Sequence, residues 1–264
     1  MSETAVSIRG LSLAIRGKPL LRDVSVEVGA GEVWSIIGAN GAGKTTLLKC
    51  LLRMYRDWTG EVQVQGRNLR TYSQRDLAHR IAYVPQPGNE QHTAFTVREL
   101  VRMGRYAFSG PFGSAHAGDA EAIERALEQT RMSDFAGRTI GTLSGGERQK
   151  VFLASALAQG SEILLLDEPT AFLDYRHQAD VAEILVRVNR ESGTTIVRVT
   201  HDVNAAMVAG GRVLALRCGG PVWSGEAAAL GDAEVLTHIF GAQFRLLPDP
   251  VTGLRLVAPQ GGAV

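Results

Sequence analysis

Hydrophobic positions along this chain recur in two rhythms. Val24, Val26 and Val28 alternate with Ser25 and Glu27, so residues 5–28 are predicted to form strands with one exposed face. Three further apolar runs do not alternate: Val33–Ile37, residues 163–166 and Thr195–Val199. Runs of this kind mark parallel strands covered on both sides. Between them lie helical periods. A glycine-rich turn after Ile37 leads into a predicted helix from about Gly43 to Arg53. Thr96 and Glu99 have capping-box spacing ahead of Val97, Leu100, Val101 and Gly104. Asp119 opens another helix, on which Ile123, Ala126, Leu127 and Thr130 share a face. Residues 88–142 therefore read as a mainly helical insertion in an α/β frame. At the end, residues 244–247 and 254–257 flank Pro248, Asp249, Pro250 and Gly253, which predicts a terminal hairpin or tail over 244–264 after a domain of 1–243.

Composition narrows the class without naming it. The chain is 45% hydrophobic and 21% charged with a net charge of +1, a soluble globular balance that gives no electrostatic reason for a nucleic-acid partner. Two cysteines, Cys50 and Cys218, are too few for a disulfide framework and read as reduced thiols. Met1, Ser2, Glu3 and Thr4 do not open a signal-peptide pattern. Apolar stretches such as 151–158 fall short of the ~20 residues that cross a bilayer. A cytoplasmic chain is expected, with any membrane role exercised through a partner.

The glycine-rich turn carries the chemistry. Gly38, Ala39, Asn40, Gly41, Ala42, Gly43, Lys44 and Thr45 match the P-loop spacing, with Thr46 following. A triphosphate is dense negative charge and needs backbone N–H groups at close range, which glycines permit because no Cβ intervenes. The helix start beyond Gly43 aims its positive end at the phosphates. Lys44 reaches the β- and γ-phosphates and the Thr45 hydroxyl can ligate Mg²⁺. Strand 163–166 ends in Asp167 and Glu168, and an acid at the carboxyl end of a parallel strand points into the ligand crevice. Asp167 is expected to hold hydrated Mg²⁺, and Glu168 to orient or deprotonate the attacking water.

Leu143-Ser144-Gly145-Gly146-Glu147 is a second anion-binding helix start, and with it the sequence resembles the ABC ATPases, whose signature reads LSGGQ or LSGGE. The resemblance covers nearly the whole chain. It implies a P-loop NTPase fold of the ABC type, with a mostly parallel core sheet, an antiparallel β subdomain and a helical subdomain. It also implies a head-to-tail pair of identical chains, in which Ser144, Gly145 and Gly146 of one copy close over the ATP held by the P-loop of the other. Gln86 looks like the glutamine that touches Mg²⁺ and water, Leu173-Asp174 like the loop at the dimer interface, and His201 like the γ-phosphate histidine. The remaining histidines (79, 92, 116, 177 and 238) show no ligand spacing. Where the family stacks an aromatic residue on adenine, this chain has Ile15, which can bury a base but offers no π-face.

Within the family, residues 95–106 and Leu173-Asp174-Tyr175-Arg176-His177-Gln178 resemble the importers of iron siderophores, haem and vitamin B12, as does the tail from Phe240 to Pro259. That resemblance implies polytopic permease subunits as partners, an external substrate-binding protein as an indirect one, and a peripheral place on the cytoplasmic face of the membrane. The region 88–142 would dock the permease. The alternatives are a soluble ABC ATPase acting on a protein scaffold, as in iron–sulfur assembly, and a nucleotide-dependent switch with little turnover.

Overall fold

The computed structural model describes residues 3–86, 94–108, 118–251 and 253–259. In chain order the strands and helices are β1 (Thr4–Ile15), β2 (Lys18–Gly29), β3 (Val33–Ile37), α1 (Lys44–Leu51), β4 (Thr59–Val64), β5 (Arg67–Asn68), α2 (Gln74–Ala78), β6 (Ile81–Val84), α3 (Val97–Met103), α4 (Asp119–Gln129) and α5 (Gly145–Ala158). There follow β7 (Ile163–Asp167), α6 (Tyr175–Ser192), β8 (Thr195–Val199), α7 (Val203–Ala209), β9 (Arg212–Arg217), β10 (Gly220–Glu226), α8 (Ala233–Phe240), β11 (Phe244–Pro248) and β12 (Arg255–Pro259). Two compact units result, one from residues 1–71 with 197–264 and one from 72–196.

In the first unit β1 pairs antiparallel with β2 and with β4, the alternating strands expected near the N-terminus. Val24 and Val28 are buried while Ser25 and Glu27 are exposed. β3 runs parallel to β9, which pairs antiparallel with β10. Four of the five β3 residues are buried, as its unbroken apolar run requires. α1 ends earlier than expected: Leu52 caps it, and Arg53 adopts a left-handed φ of 54° that no helix continues through. β11 and β12 form an antiparallel hairpin around the predicted turn. Phe244, Leu246, Leu254 and Val257 pack it on a core containing Met207, Leu230 and Ile239. The Asn204 side chain in α7 fastens it further, donating to Val257 O at 3.0 Å and accepting from Val257 N at 2.7 Å.

In the second unit β6 runs parallel to β7. The helices share one core: Val97 and Val101 of α3, Ile123 and Leu127 of α4, and Val151, Ala154 and Ala158 of α5. Each buried Val or Leu side chain contributes about 1.5–3 kcal/mol. The capping box forms as the sequence requires, with the Glu99 carboxylate accepting from Thr96 N at 2.8 Å. Gly104 lets α3 end against α5, since a Cβ there would lie 2.0 Å from Ser155 O. Arg105 then ties the helix ends together, donating to Asp119 Oδ1 at 2.9 Å and to Ala158 O at 3.0 Å. The helical stretch expected over 88–142 thus contains α3 and α4. Residues 88–93 and 109–117 of it, with His92 and His116, lie outside the described residues, as do residue 87 before it and Thr252 and residues 260–264 of the tail. Among the described residues no helix is long and apolar enough to cross a membrane.

Candidate active site

The phosphate loop grows directly from buried β3. Gly38 has φ 144°, and a Cβ there would lie 2.2 Å from Leu216 O, so no other residue fits. Gly43 has φ 101°, with Leu20 O 2.8 Å from its notional Cβ. Gly41 has φ 79° and open space around it, so only its backbone angle calls for glycine. Gly43 is also the N-cap of α1 and supplies no side-chain acceptor there, so no cap occupies the direction from which an anion would approach. Lys44 is 5% exposed and curls back over the loop, donating to Gly38 O at 2.8 Å and Ala39 O at 3.1 Å. Ala39, Asn40 and Gly41 are exposed, Ala42 is buried, and Thr45 and Thr46 are half-buried. A left-handed glycine turn, an uncapped helix start and a buried ammonium suit a polyphosphate.

The same unit holds His201. It is exposed in the short turn between β8 and α7, and both sides of that turn are pinned. Thr200 N donates to Ile36 O of β3 at 3.1 Å, and Asp202 caps α7 by accepting from Ala205 N at 3.0 Å. Asp202 N in turn donates to the Thr200 hydroxyl at 3.0 Å. Ile15 is the last residue of β1, half-buried and paired with Lys18 across the hairpin turn.

In the second unit every residue of β7 is buried, and Asp167 at its end is 2% exposed. The Tyr83 hydroxyl donates to Asp167 Oδ2 over a long 3.4 Å. Burial, and after it the neighbouring Asp167 carboxylate, push the Tyr83 phenol up to about 12. Tyr83 is therefore a neutral donor to the carboxylate, a role that its residue type alone did not signal. It reaches Asp167 because β6 and β7 pair in parallel with Tyr83 opposite Leu165. Glu168 holds a left-handed φ of 46°, a strained angle for a side chain with a Cβ. The Gln86 amide meets its carboxylate at 3.5 Å, the outer limit of a hydrogen bond.

The helix start at Ser144 closes on itself. Ser144 Oγ accepts from Glu147 N at 3.2 Å, and the Glu147 carboxylate accepts from Ser144 N at 2.7 Å. That backbone donor is the main reason the Glu147 carboxyl lies below the usual carboxylate range. Gly145 is exposed with nothing within 4 Å of a notional Cβ, whereas one at Gly146 would lie 2.1 Å from the His177 ring. Nδ1 of His177 meets both Asp174 carboxylate oxygens at 2.9 Å. Asp174 and Gly146 are thus joined through one imidazole, which residue spacing alone left without a role. Phe172 and Tyr175, on either side of Asp174, are 87% and 91% exposed.

A phosphate loop on a buried strand, an acid pair ending another, and a glycine-bearing capped helix are the parts of an ABC-type nucleotide-binding domain. The chain belongs to the ABC transporter family, whose profile matches residues 21–171. It is 37% identical over 267 residues to the ferric enterobactin transport ATP-binding protein FepC of Escherichia coli, covering 99% of this chain and 97% of that protein. It is 40% identical over 260 residues to the hemin import ATP-binding protein HmuV of Streptomyces coelicolor, covering 97% and 90%. Among solved structures, an inward-facing ABC transporter of metal-chelate type matches with a TM-score of 0.84, 26% identity and 98% of each chain covered. A dimeric ATP-binding cassette in a post-hydrolysis state with ADP and phosphate matches with a TM-score of 0.71, 25% identity and 84% and 98% covered. The α/β fold class read from the sequence therefore stands.

Proposed function

We propose that this chain is the ATP-binding and ATP-hydrolysing subunit of an importer for a metal chelate of the ferric siderophore, haem or cobalamin type. The observation that carries this is its near full-length likeness to ATP-binding proteins named for ferric enterobactin and hemin import. In this reading two copies work head to tail at the cytoplasmic face of the membrane. They dock through residues 88–142 on polytopic permease subunits, which an external binding protein supplies.

The chemistry assigned to the residues is as follows. Amides of the loop from Gly38 to Thr46 and the start of α1 bind the β- and γ-phosphates, and Lys44 turns its ammonium onto them. Thr45, Gln86 and Asp167 offer hard oxygen donors, a set that suits Mg²⁺, which when bound neutralises phosphate charge. Glu168 accepts the proton of the water that attacks the γ-phosphorus. The bond to the bridging oxygen breaks, and ADP and phosphate result. His201 donates to the γ-phosphate, and Ser144, Gly145 and Gly146 of the second copy close over it. Ile15 covers the base through aliphatic contact. ATP drives the cycle by binding the closed pair more tightly than the open one.

Uptake by cells deleted for this chain tests the reading directly. Entry of one labelled chelate among ferric siderophore, hemin and cobalamin should fail, and return with the wild-type chain but not with Glu168→Gln. Unimpaired entry of all three, or purification from detergent with a soluble scaffold instead of a polytopic membrane protein, would overturn it.

A further inference from the structure

Strand β8 carries a buried charge to which the hydrolytic scheme gives no task. Arg198 is 8% exposed within a strand whose residues are all buried. Burial pushes its guanidinium down to about 10, with the Asp202 carboxylate acting in the opposite direction. Enclosing a guanidinium is costly, and an apolar side chain would fill a buried strand position without that cost. The interactions it makes show what it holds. Nε donates to Ser35 Oγ at 3.0 Å, and Nη2 donates to Ala205 O at 2.6 Å. Ser35 lies in β3, three residues before Gly38, and Ala205 lies in the first turn of α7, four residues after His201. One planar fork therefore spans the strand that delivers the phosphate loop and the helix that follows the histidine. The Thr200 N bond to Ile36 O and the Asp202 cap of α7 fix the intervening turn on either side of His201.

We propose that Arg198 is a positioning residue for hydrolysis, holding His201 in register with the phosphate loop through Ser35 and the Ala205 carbonyl. The proposal rests on the reading of His201 as a γ-phosphate contact. Arginine suits the task because its two donors point in fixed, divergent directions, while a lysine ammonium is a single point that cannot span both acceptors. Arg198 is not itself among the residues assigned to the nucleotide, so its loss should alter the rate of the chemical step and leave ATP binding in place.

The test is single-turnover ATP hydrolysis by the full chain with Mg²⁺, with ATP affinity by calorimetry and thermal unfolding measured alongside. Arg198→Lys keeps charge and stem, and is expected to fold, to bind ATP within about twofold of wild type, and to hydrolyse about tenfold more slowly, the scale of loss a small misplacement brings. Arg198→Met should be slower still; if it does not fold, Arg198→Lys and Ser35→Ala carry the test, the latter with a loss of about threefold. In a His201→Ala background Arg198→Lys should cost nothing further. Wild-type rates in both Arg198→Lys and Ser35→Ala, an equal loss in the presence and absence of His201, or a loss seen wholly as weakened ATP binding would each overturn the proposal. Normal turnover by His201→Ala would overturn the histidine reading itself, and the positioning role with it. A slow His201→Ala beside unaffected Arg198 variants would overturn the positioning role alone.

Discussion

The helix starts α1 and α5 carry similar glycine-rich sequences and are finished in opposite ways. At α1 the N-cap is Gly43, which has no side chain, and Lys44 is folded over the loop carbonyls of Gly38 and Ala39. At α5 the N-cap is Ser144, and its hydroxyl and the Glu147 carboxylate exchange hydrogen bonds with the backbone. The first start has no side-chain cap; the second is capped within its own chain. This is the division expected if α1 holds the nucleotide at every stage while α5 meets it only when two chains close. The glycines differ in the same sense: Gly38 and Gly43 are hemmed in by backbone carbonyls, Gly146 by a movable side chain, and Gly145 by nothing within 4 Å.

Substitutions at these glycines test that contrast most severely. Gly38→Ala should lose nucleotide binding and destabilise the fold by about 3 kcal/mol or more, because a backbone carbonyl must move and the φ is strained. Gly145→Ala should unfold at or slightly above the wild-type temperature, since its angle is ordinary and alanine favours helix. Equal thermal shifts in the two would erase the distinction. Lys44→Ala should weaken ATP binding about a hundredfold by calorimetry, as expected for a buried charge on a triphosphate. Unchanged affinity would show that α1 binds no phosphate.

Smaller effects separate the parts of α5. Gly146→Ala must displace the His177 ring and should cost about 1–3 kcal/mol in denaturant unfolding, of which His177→Ala on the same chain should recover most. Failure of that rescue would place the strain elsewhere. Glu147→Gln should cost about 0.5 kcal/mol at neutral pH, a cap interaction at a partly solvated site. The Glu147 carboxyl is depressed in the folded chain, so its contribution is present above the ordinary glutamate pKa and fades as pH falls through the lower folded value. The wild-type and Glu147→Gln unfolding curves should therefore converge on acidification; a gap that widened in acid would contradict the cap.

What the sequence disclosed follows physical range. β3, β8, the Thr96 box and the phosphate loop were legible because a short window holds the whole cause: an apolar run, a cap three residues away, glycines at fixed spacing. Three site features were not. His177 looks like an ordinary first-turn residue after Asp174, and its contact with Gly146 spans 31 positions. Tyr83 reaches Asp167 only because β6 and β7 pair in one register. Arg198 sits inside a run read as continuously apolar, and only folding supplies the Ser35 and Ala205 acceptors that let the charge be buried. Where α1 stops was misjudged for a similar reason, since the left-handed turn at Arg53 has no glycine to announce it.

Hydrolysis by Glu168→Gln in the presence of ATP and Mg²⁺ bears most directly on the whole account. The variant should bind ATP as tightly as wild type, release phosphate at least about a hundredfold more slowly, and elute as an ATP-held dimer. Phosphate release near the wild-type rate, with ATP bound, would contradict the assignment of Glu168 as the base and the mechanism built on it.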